Sequence, residues 1–321
     1  MGVYRFLLSM MVLFSHAERC VTIRGTVINQ GRIAVISFLI ITGFTNAGSL
    51  ERYRGKLSSY YLRRIIRIWF PYAAVSLLAY LSIGLFHIPY ETIPEVTFSG
   101  ALLDILLLPW MIVPEAVTSL AIPAAWTVVT QMKYYLISPV VRMLNAEKSA
   151  PARGIVLFFF VLSFALFCLS CLGLISRQYS DMNLWGVLWI FLSGAFLAVQ
   201  GRTRKGLLTA VWILCGIASA FSLWKITREG SALLVNPESV MGFFLGLPAV
   251  VFCRNLRRTW WDDLLGALSY GIFLCHFPIK CLLVYFAGGG DYSRALLVVL
   301  SVLGALLLHL LVERPARKIP L

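Results

Sequence analysis

The fold is decided by an apolar stretch near the start of the chain, Arg5-Phe-Leu-Leu-Ser-Met-Met-Val-Leu-Phe-Ser-His16. Eleven helical steps of about 100° bring the arginine and the histidine to one face, with a rise of about 16 Å between them. This rise is roughly half of the hydrocarbon core of a bilayer. Polar side chains inside a membrane helix are costly, so the pair is a functional hypothesis; the alternative is a snorkelling arginine and an interfacial histidine.

The composition extends this interpretation to the whole chain. Hydrophobic residues make up 60% of the 321 residues and charged residues 13%, and the mean hydropathy is +0.84, values that exclude an ordinary soluble protein. A shorter apolar stretch, 101–113, is interrupted by Pro109 and followed by Pro114. Longer apolar stretches, most of them sufficient to span a bilayer, lie near residues 2–17, 31–49, 68–88, 124–141, 153–175, 183–200, 206–223, 238–253, 264–286 and 294–312.

The net charge of +14 needs no nucleic-acid partner, because Lys and Arg collect in short connections at alternate ends of these segments. Such connections are typical of the cytoplasmic side of a membrane. The alternation holds only if 101–113 does not cross, which predicts about ten transmembrane helices with both termini in the cytoplasm. The basic connections contain Arg52, Arg54, Lys56, Arg63, Arg64, Arg67, Arg202, Arg204, Lys205, Arg254, Arg257, Arg258, Arg314, Arg317 and Lys318.

The predicted fold is an all-α, polytopic integral membrane protein with a single domain over residues 1–321 and one short non-crossing segment, 101–113. We find no soluble domain, long linker or internal repeat in the sequence. Ser15-His16-Ala17 resembles a signal-peptide cleavage site, but a positive region of Arg5 alone and the many later apolar segments argue against it. Seven cysteines lack metal-site spacing with histidine, so we predict packing roles and no metal.

Two further groups of polar residues are candidates for binding. Arg64 and Arg67 lie one α-helical turn apart at the cytoplasmic mouth of the third span, where two guanidiniums can bind phosphates or simply anchor the helix. In the segment Trp126-Thr-Val-Val-Thr-Gln131-Met-Lys-Tyr-Tyr135, Gln131 and Tyr135 share a helix face. An interfacial aromatic belt explains Trp126 and the tyrosines equally well.

Polar residues near the end of the chain and in the short segment complete the candidates. Ser269 and His276 lie two turns apart on one face of a predicted helix, where they can belong to a site or strengthen helix packing. Asp104 is an acid inside the non-crossing segment, and acceptor contact and exposure to a water-filled cavity are both open for it.

Together these segments resemble the acyltransferase 3 family of membrane acyltransferases, also called OafA-like O-acyltransferases. The resemblance runs from end to end of the chain. At Gln131 the sequence departs from the family, which usually has a glutamate there. The motifs that carry the resemblance are Arg5 to His16, Gly31 to Phe44 with Thr42 before Gly43, Arg64-Ile-Ile-Arg67 before Pro71, Ser269 to His276, and Glu313-Arg314-Pro315.

The resemblance implies transfer of an acyl group, usually acetyl from acetyl-CoA, to a hydroxyl of an extracytoplasmic or lipid-linked glycan, in the cytoplasmic membrane of a bacterium. It implies His16 as the catalytic residue with Arg5 as a second electrostatic contact, either by general-base catalysis or through an acyl-histidine. The remaining implied contacts are Arg64 and Arg67 with CoA, and Trp126, Gln131, Tyr135, Ser269 and His276 with the acceptor.

Two alternatives stay open at this point. A glycolipid or polysaccharide transporter explains the helix count and the polar interior, but gives no reason for the pairing of Arg5 with His16. A catalytically degenerate relative of the family is favoured by Gln131. In each case membrane lipids surround the protein.

Overall fold

The chain is helical almost throughout in a computed structural model, which describes residues 1–18, 20–53, 55–90, 92–93, 96–107, 121–146, 150–198, 202–289 and 291–319. Within these residues, eight helices are long and apolar enough to cross a membrane. This confirms the prediction of an all-α polytopic membrane protein. The total of ten spans stays a prediction.

The elements follow one another in a simple order. The described α-helices are α1 (Gly2–His16), α2 (Gln30–Arg52), α3 (Leu57–Arg64), α4 (Phe70–Phe86), α5 (Phe98–Leu106), α6 (Trp126–Ala146), α7 (Ala150–Cys171), α8 (Leu184–Ala198), α9 (Arg202–Glu229), α10 (Pro237–Arg254), α11 (Trp260–Phe286), α12 (Arg294–Leu308) and α13 (Arg314–Ala316). Shorter elements are strands β1 (Val21–Ile23) and β2 (Thr26–Ile28), the π-helical turns Ile65–Trp69 and His309–Glu313, and the 3₁₀ turns Pro123–Ala125 and Arg177–Ser180. The two strands pair antiparallel, with Val21 opposite Ile28.

The predicted non-crossing segment is only partly within the described residues. Helix α5 has nine residues, fewer than the roughly 17 needed to span a bilayer. Thr97 caps it by accepting a hydrogen bond from the backbone N–H of Gly100 at 3.1 Å. Pro109 and Pro114 lie outside the described residues, so the absence of a crossing stays a prediction.

Each π-helical turn ends two residues before a proline. In the first, the N–H of Phe70 bonds to the carbonyl of Ile65, and Pro71 follows. In the second, the N–H of Arg314 bonds to the carbonyl of His309, and Pro315 follows. Because proline has no N–H to continue the ordinary ladder, the preceding turn widens by one residue.

The described chain forms two compact units, each built from segments that are distant in sequence. The first unit contains Met1, Glu18–Tyr60 and Thr130–Arg257, and the second contains Gly2–Ala17, Tyr61–Val129 and Arg258–Leu321. The single domain predicted over 1–321 stays a prediction.

In the first unit, α2 and α8 approach at two glycines. A Cβ atom on Gly43 would lie 1.9 Å from the carbonyl oxygen of Phe191, and one on Gly194 would lie 2.1 Å from that of Ile40. No side chain fits at these distances. The Thr42-Gly43-Phe44 motif therefore acts here as a helix-packing motif, since small residues let membrane helices approach closely.

In the second unit, α1 packs along α11. The two helices touch at Gly2, where a Cβ atom would lie 1.6 Å from the carbonyl oxygen of Asp262. The Asp262 carboxylate also accepts a hydrogen bond from the N–H of Val3 at 3.0 Å. Further along, the Ser9 hydroxyl donates to the carbonyl of Ser269 at 2.8 Å. These contacts fix the register that carries His16 to the middle of α11.

Candidate active site

The two predicted site histidines meet in the second unit. The rings of His16, at the end of α1, and His276, in α11, have centroids 5.2 Å apart with 43° between their planes. They are 260 residues apart in the chain. The His276 ring is 1% exposed, whereas His16 is half-buried. The pair thus consists of a partly accessible imidazole, His16, and a buried one, His276, that lies next to it.

The hydrogen bond of His276 fixes its tautomer. Its Nδ1 atom lies 3.1 Å from the carbonyl oxygen of Ile272, and a carbonyl can only accept, so Nδ1 carries the proton. Nε2 is then a bare lone pair, and it is buried with no hydrogen-bond partner among the described residues. Buried polar atoms in this condition are rare in native proteins and call for an explanation.

Aromatic and aliphatic side chains line one side of the pair. Phe277 meets the His16 ring edge to face at 5.9 Å. Phe277 also belongs to a buried cluster with Ala79, Tyr90 and Ala121. An apolar wall of this kind lowers the local dielectric constant on its side of the pair and strengthens electrostatic interactions there.

Lys280 is a residue that the sequence argument missed. It lies one helical turn after His276 on α11, is half-buried, and acts electrostatically on both histidine rings. A cation held here can stabilise an oxyanion. The i,i+4 spacing from His276 inside an apolar helix was the signal that could have revealed it.

Ser269 has a packing role in this structure. Its hydroxyl donates to the carbonyl of Gly266 at 3.0 Å, while its own carbonyl accepts the bond from Ser9. The first bond lies within α11, and the second joins α1 to α11. The structure thus favours the packing alternative over a substrate contact for this residue.

Asp104 is buried and hydrogen-bonded, which differs from the exposure to a water-filled cavity considered for it; contact with the acceptor stays a prediction. It is 3% exposed and accepts hydrogen bonds from the hydroxyls of Tyr72 at 2.5 Å and Tyr80 at 2.8 Å. The backbone N–H of Ala121 donates to it at 2.9 Å. Burial raises the pKa of this carboxyl, although the three hydrogen bonds oppose the rise. Asp104, in α5, is therefore joined to α4 and to Ala121, two residues before the Pro123–Ala125 turn.

Arg64 and Arg67 lie on either side of a change in helix type. Arg64 is the last residue of α3 and is half-buried, whereas Arg67 lies in the π-helical turn and is exposed. The α-helical spacing assumed from the sequence is therefore wrong, because Pro71 widens this turn. Turns of this kind occur frequently at functional sites.

A charged network joins the segment from His309 to Arg317 to the end of α3. Glu313, 7% exposed, accepts from His309 at 2.9 Å and from Arg317 at 3.0 Å. The Arg63 guanidinium donates to the carbonyl of Arg317 at 3.0 Å. Through Arg317, the Glu313-Arg314-Pro315 motif is thus connected to the end of α3, where Arg64 also lies.

The predicted acceptor segment is divided between the units. Trp126, half-buried at the start of α6, belongs to the second unit, and Gln131 and Tyr135 belong to the first. Tyr135 is buried, and its neighbour Tyr134 stacks on Phe191 with ring centroids 4.3 Å apart. All the other predicted site residues, from Arg5 to His276, lie in the second unit.

The first unit contains a buried polar cluster that sequence reasoning also missed. The Asn236 side-chain oxygen accepts from Arg32 at 2.7 Å and from Arg177 at 2.6 Å. Its amide nitrogen donates to Ser180 at 2.5 Å, and Arg32 lies 3.8 Å from Asp181. These partners are up to 204 residues apart, so no local spacing reveals the cluster.

Comparison with known proteins decides the family. The sequence profile of the acyltransferase 3 family, described as an acyltransferase domain, matches residues 2–314. The chain belongs to the acyltransferase 3 family. This confirms the resemblance read from the motifs and makes the protein a membrane acyltransferase.

One relative of this acyltransferase is an uncharacterized protein of Aquifex aeolicus (strain VF5). It is 30% identical over 164 residues, which cover 49% of this chain and 69% of that protein. No solved structure matches the chain. Among the described residues, no group of three or more His, Cys, Asp and Glu side chains is placed to hold a metal ion.

Proposed function

We propose that this acyltransferase moves an acetyl group from cytoplasmic acetyl-CoA to a hydroxyl of an extracytoplasmic or lipid-linked glycan. The observation that carries the proposal is the His16–His276 pair, in which an accessible imidazole rests against a buried one. Family membership supports acyl transfer. A transporter has no need of such a pair.

In the proposed reaction, His16 acts as the general base. It takes the proton of the acceptor hydroxyl as the oxygen attacks the thioester carbonyl. A tetrahedral oxyanion forms, the carbon–sulfur bond then breaks, and the CoA thiolate leaves and recovers the proton from the imidazolium. The products are the O-acetyl ester and CoA, so atoms and charge balance.

His276 would act on His16 in this scheme. Once His16 is protonated, it needs an acceptor for its second N–H, and Nε2 of His276 is a lone pair without a partner among the described residues, on a ring whose centroid lies 5.2 Å from that of His16. A group that orients the base and stabilises its charged form is a common feature of base catalysis. This assigns His276 a positioning role in place of the acceptor contact expected from the sequence.

Cationic side chains would hold the donor. Arg5, Arg64 and Arg67 lie in the same unit as the histidines, and the distribution of basic residues predicts their ends of the helices to be cytoplasmic. Guanidiniums bind phosphate oxygens as planar forks. We assign Arg64 and Arg67 to the CoA phosphates, and Arg5 to the donor or transition state.

The acceptor would be held from α6. Trp126 offers an aromatic face, and Gln131 and Tyr135 offer hydrogen bonds from one side of the helix. In this proposal the glycan reaches the site from the extracytoplasmic side of a bacterial cytoplasmic membrane, and both chain termini lie in the cytoplasm.

The test is direct transfer. Purified protein in lipid vesicles, supplied with acetyl-CoA and a glycan extract of the source cells, should release CoA thiol only when both substrates are present. Mass spectrometry of the glycans should show the mass increase of an acetyl group. Thiol release without a glycan product would contradict an O-acyltransferase that acts on a glycan.

A degenerate relative is the second candidate, because Gln131 replaces the usual glutamate. An amide cannot accept a full proton at neutral pH as a carboxylate can. If wild type is inactive in the transfer assay and Gln131→Glu is active, the natural protein is degenerate. Activity in wild type would exclude this candidate.

A further inference from the structure

An open groove in the first unit lies at the ends of three helices, and none of the residues assigned above lines it. Its volume is about 620 Å³, and its walls are formed by α8, α9 and α10. Trp212, Leu247 and Pro248 line its apolar part, while Lys205 and Arg254 belong to its polar lining. Lys205 and Arg254 are exposed at helix ends, and Trp212 lies about 10 Å further along α9 than Lys205.

The apolar wall is held in place by a proline and a tryptophan. Pro248 has no N–H, so the carbonyl of Phe244, four residues earlier, loses its usual donor. The indole N–H of Trp212 donates to that carbonyl at 2.8 Å. The aromatic rings of Trp212 and Phe244 also stack, with centroids 5.1 Å apart and 18° between their planes. The groove is therefore preformed.

The rim carries positive charge at the end predicted to face the cytoplasm. Arg254 is fixed there because its guanidinium donates to the carbonyl of Leu197, at the end of α8, at 3.1 Å. Lys205 is exposed near the beginning of α9. Basic pockets between transmembrane helices on the cytoplasmic side bind anionic lipid headgroups, and an apolar wall beneath them suits an acyl chain.

We propose that this groove binds an anionic phospholipid of the cytoplasmic leaflet, with its phosphate between Lys205 and Arg254 and an acyl chain along Trp212. The complementary charge at the rim selects an anionic lipid over a zwitterionic one. The site is independent of acyl transfer, because its residues are neither the histidines nor the arginines assigned to the donor.

The experiment uses the fluorescence of Trp212. The full chain is placed in phosphatidylcholine vesicles that contain a small fraction of phosphatidylglycerol with brominated acyl chains, which quench nearby indoles. The difference between wild type and Trp212→Phe reports the groove. We expect this difference to saturate at a low fraction of brominated phosphatidylglycerol, and to be much smaller with brominated phosphatidylcholine at the same fraction.

Two charge variants test the role of the basic rim, Lys205→Ala in the groove and Arg257→Ala as its matched control. Lys205→Ala should raise the half-saturating fraction about fivefold, as expected for the loss of a basic side chain next to an anionic headgroup. Arg257→Ala removes the same charge from the same end of the unit, but Arg257 does not line the groove. It should leave the half-saturating fraction unchanged. Equal effects of both variants, or equal quenching by the two lipids, would overturn the proposal.

Two additions keep the result decisive. If Trp212→Phe does not fold, native mass spectrometry can count phosphatidylglycerol retained by wild type, Lys205→Ala and Arg257→Ala, with the same ranking expected.

Palmitoyl-CoA is also added as a competitor to the vesicles. Displacement of brominated phosphatidylglycerol by palmitoyl-CoA at a much lower membrane fraction than by unlabelled phosphatidylglycerol would make the groove a donor site and contradict the proposal.

Discussion

Asp104 and His276 are both buried polar residues of the second unit, yet their surroundings differ. Asp104 is 3% exposed and accepts three hydrogen bonds, from two tyrosines and a backbone N–H. His276 is 1% exposed and bonds only through Nδ1, which leaves Nε2 without a partner among the described residues. A satisfied polar group stabilises a fold, whereas an unsatisfied one beside a second histidine is available for chemistry.

The largest effect that tests this comparison is expected at His276. His276→Ala should lower kcat by about 10²- to 10⁴-fold, because the general-base catalysis by His16 that depends on it contributes a factor of that size. The double variant with His16→Ala should lose no more than either single variant, because the two act as one unit. The measurement is acetyl transfer by the three variants. Multiplying losses would show that the histidines work separately.

Asp104 should behave in the opposite way. Asp104→Ala leaves the hydroxyl of Tyr80 and the N–H of Ala121 without their acceptor, and Tyr72 keeps only its 3.2 Å bond to the backbone carbonyl of residue 104. Each buried unsatisfied group costs about 1 to 3 kcal/mol. We expect a loss of about 2 kcal/mol or more in the free energy of unfolding, and a smaller loss for Asp104→Asn. Thermal unfolding in detergent measures both. A stable but inactive Asp104→Ala protein would move Asp104 into the active site.

The sequence predicted the fold class and named both histidines as site residues, for different reasons. Hydropathy and charge placement are local patterns, whereas the two histidines were found in separate family motifs; that their rings lie side by side was not predicted. The partners of Asp104 were not predicted, because they depend on how α4, α5 and Ala121 pack. The π-helical turn at Arg67 was missed, although Pro71 is printed in the sequence, because a proline allows several distortions of a helix. The bonds between Arg32 and Asn236 have no local signal at all.

A smaller effect on activity is expected from the two arginines assigned to the CoA phosphates. Arg64→Ala and Arg67→Ala should each raise the KM for acetyl-CoA, since a hydrogen bond to a charged group contributes about 1.5 to 3 kcal/mol. Lysine should restore binding only in part, because it lacks the planar fork. Arg52→Ala, at an exposed arginine on the end of α2, is the control. Unchanged KM in both site variants would leave Arg64 and Arg67 as membrane anchors.

The smallest expected effect is at Gln131. If it positions the acceptor, Gln131→Leu should lose activity by about 1 to 3 kcal/mol in kcat/KM, because a substrate hydroxyl is left unpaired. Gln131→Glu should keep comparable activity, since a carboxylate also accepts hydrogen bonds. The assay is acetyl transfer with glycan as the varied substrate. Full activity of the Leu variant would remove Gln131 from the site.

His16 is proposed as the base of the acetyl transfer. The most direct measurement compares wild type with His16→Ala, both reconstituted in vesicles and shown to have the same helical content and unfolding temperature. We predict acetylated glycan from wild type and a rate lower by about 10²- to 10⁴-fold from His16→Ala. A His16→Ala protein with activity within about threefold of wild type, far outside that range, would contradict the account.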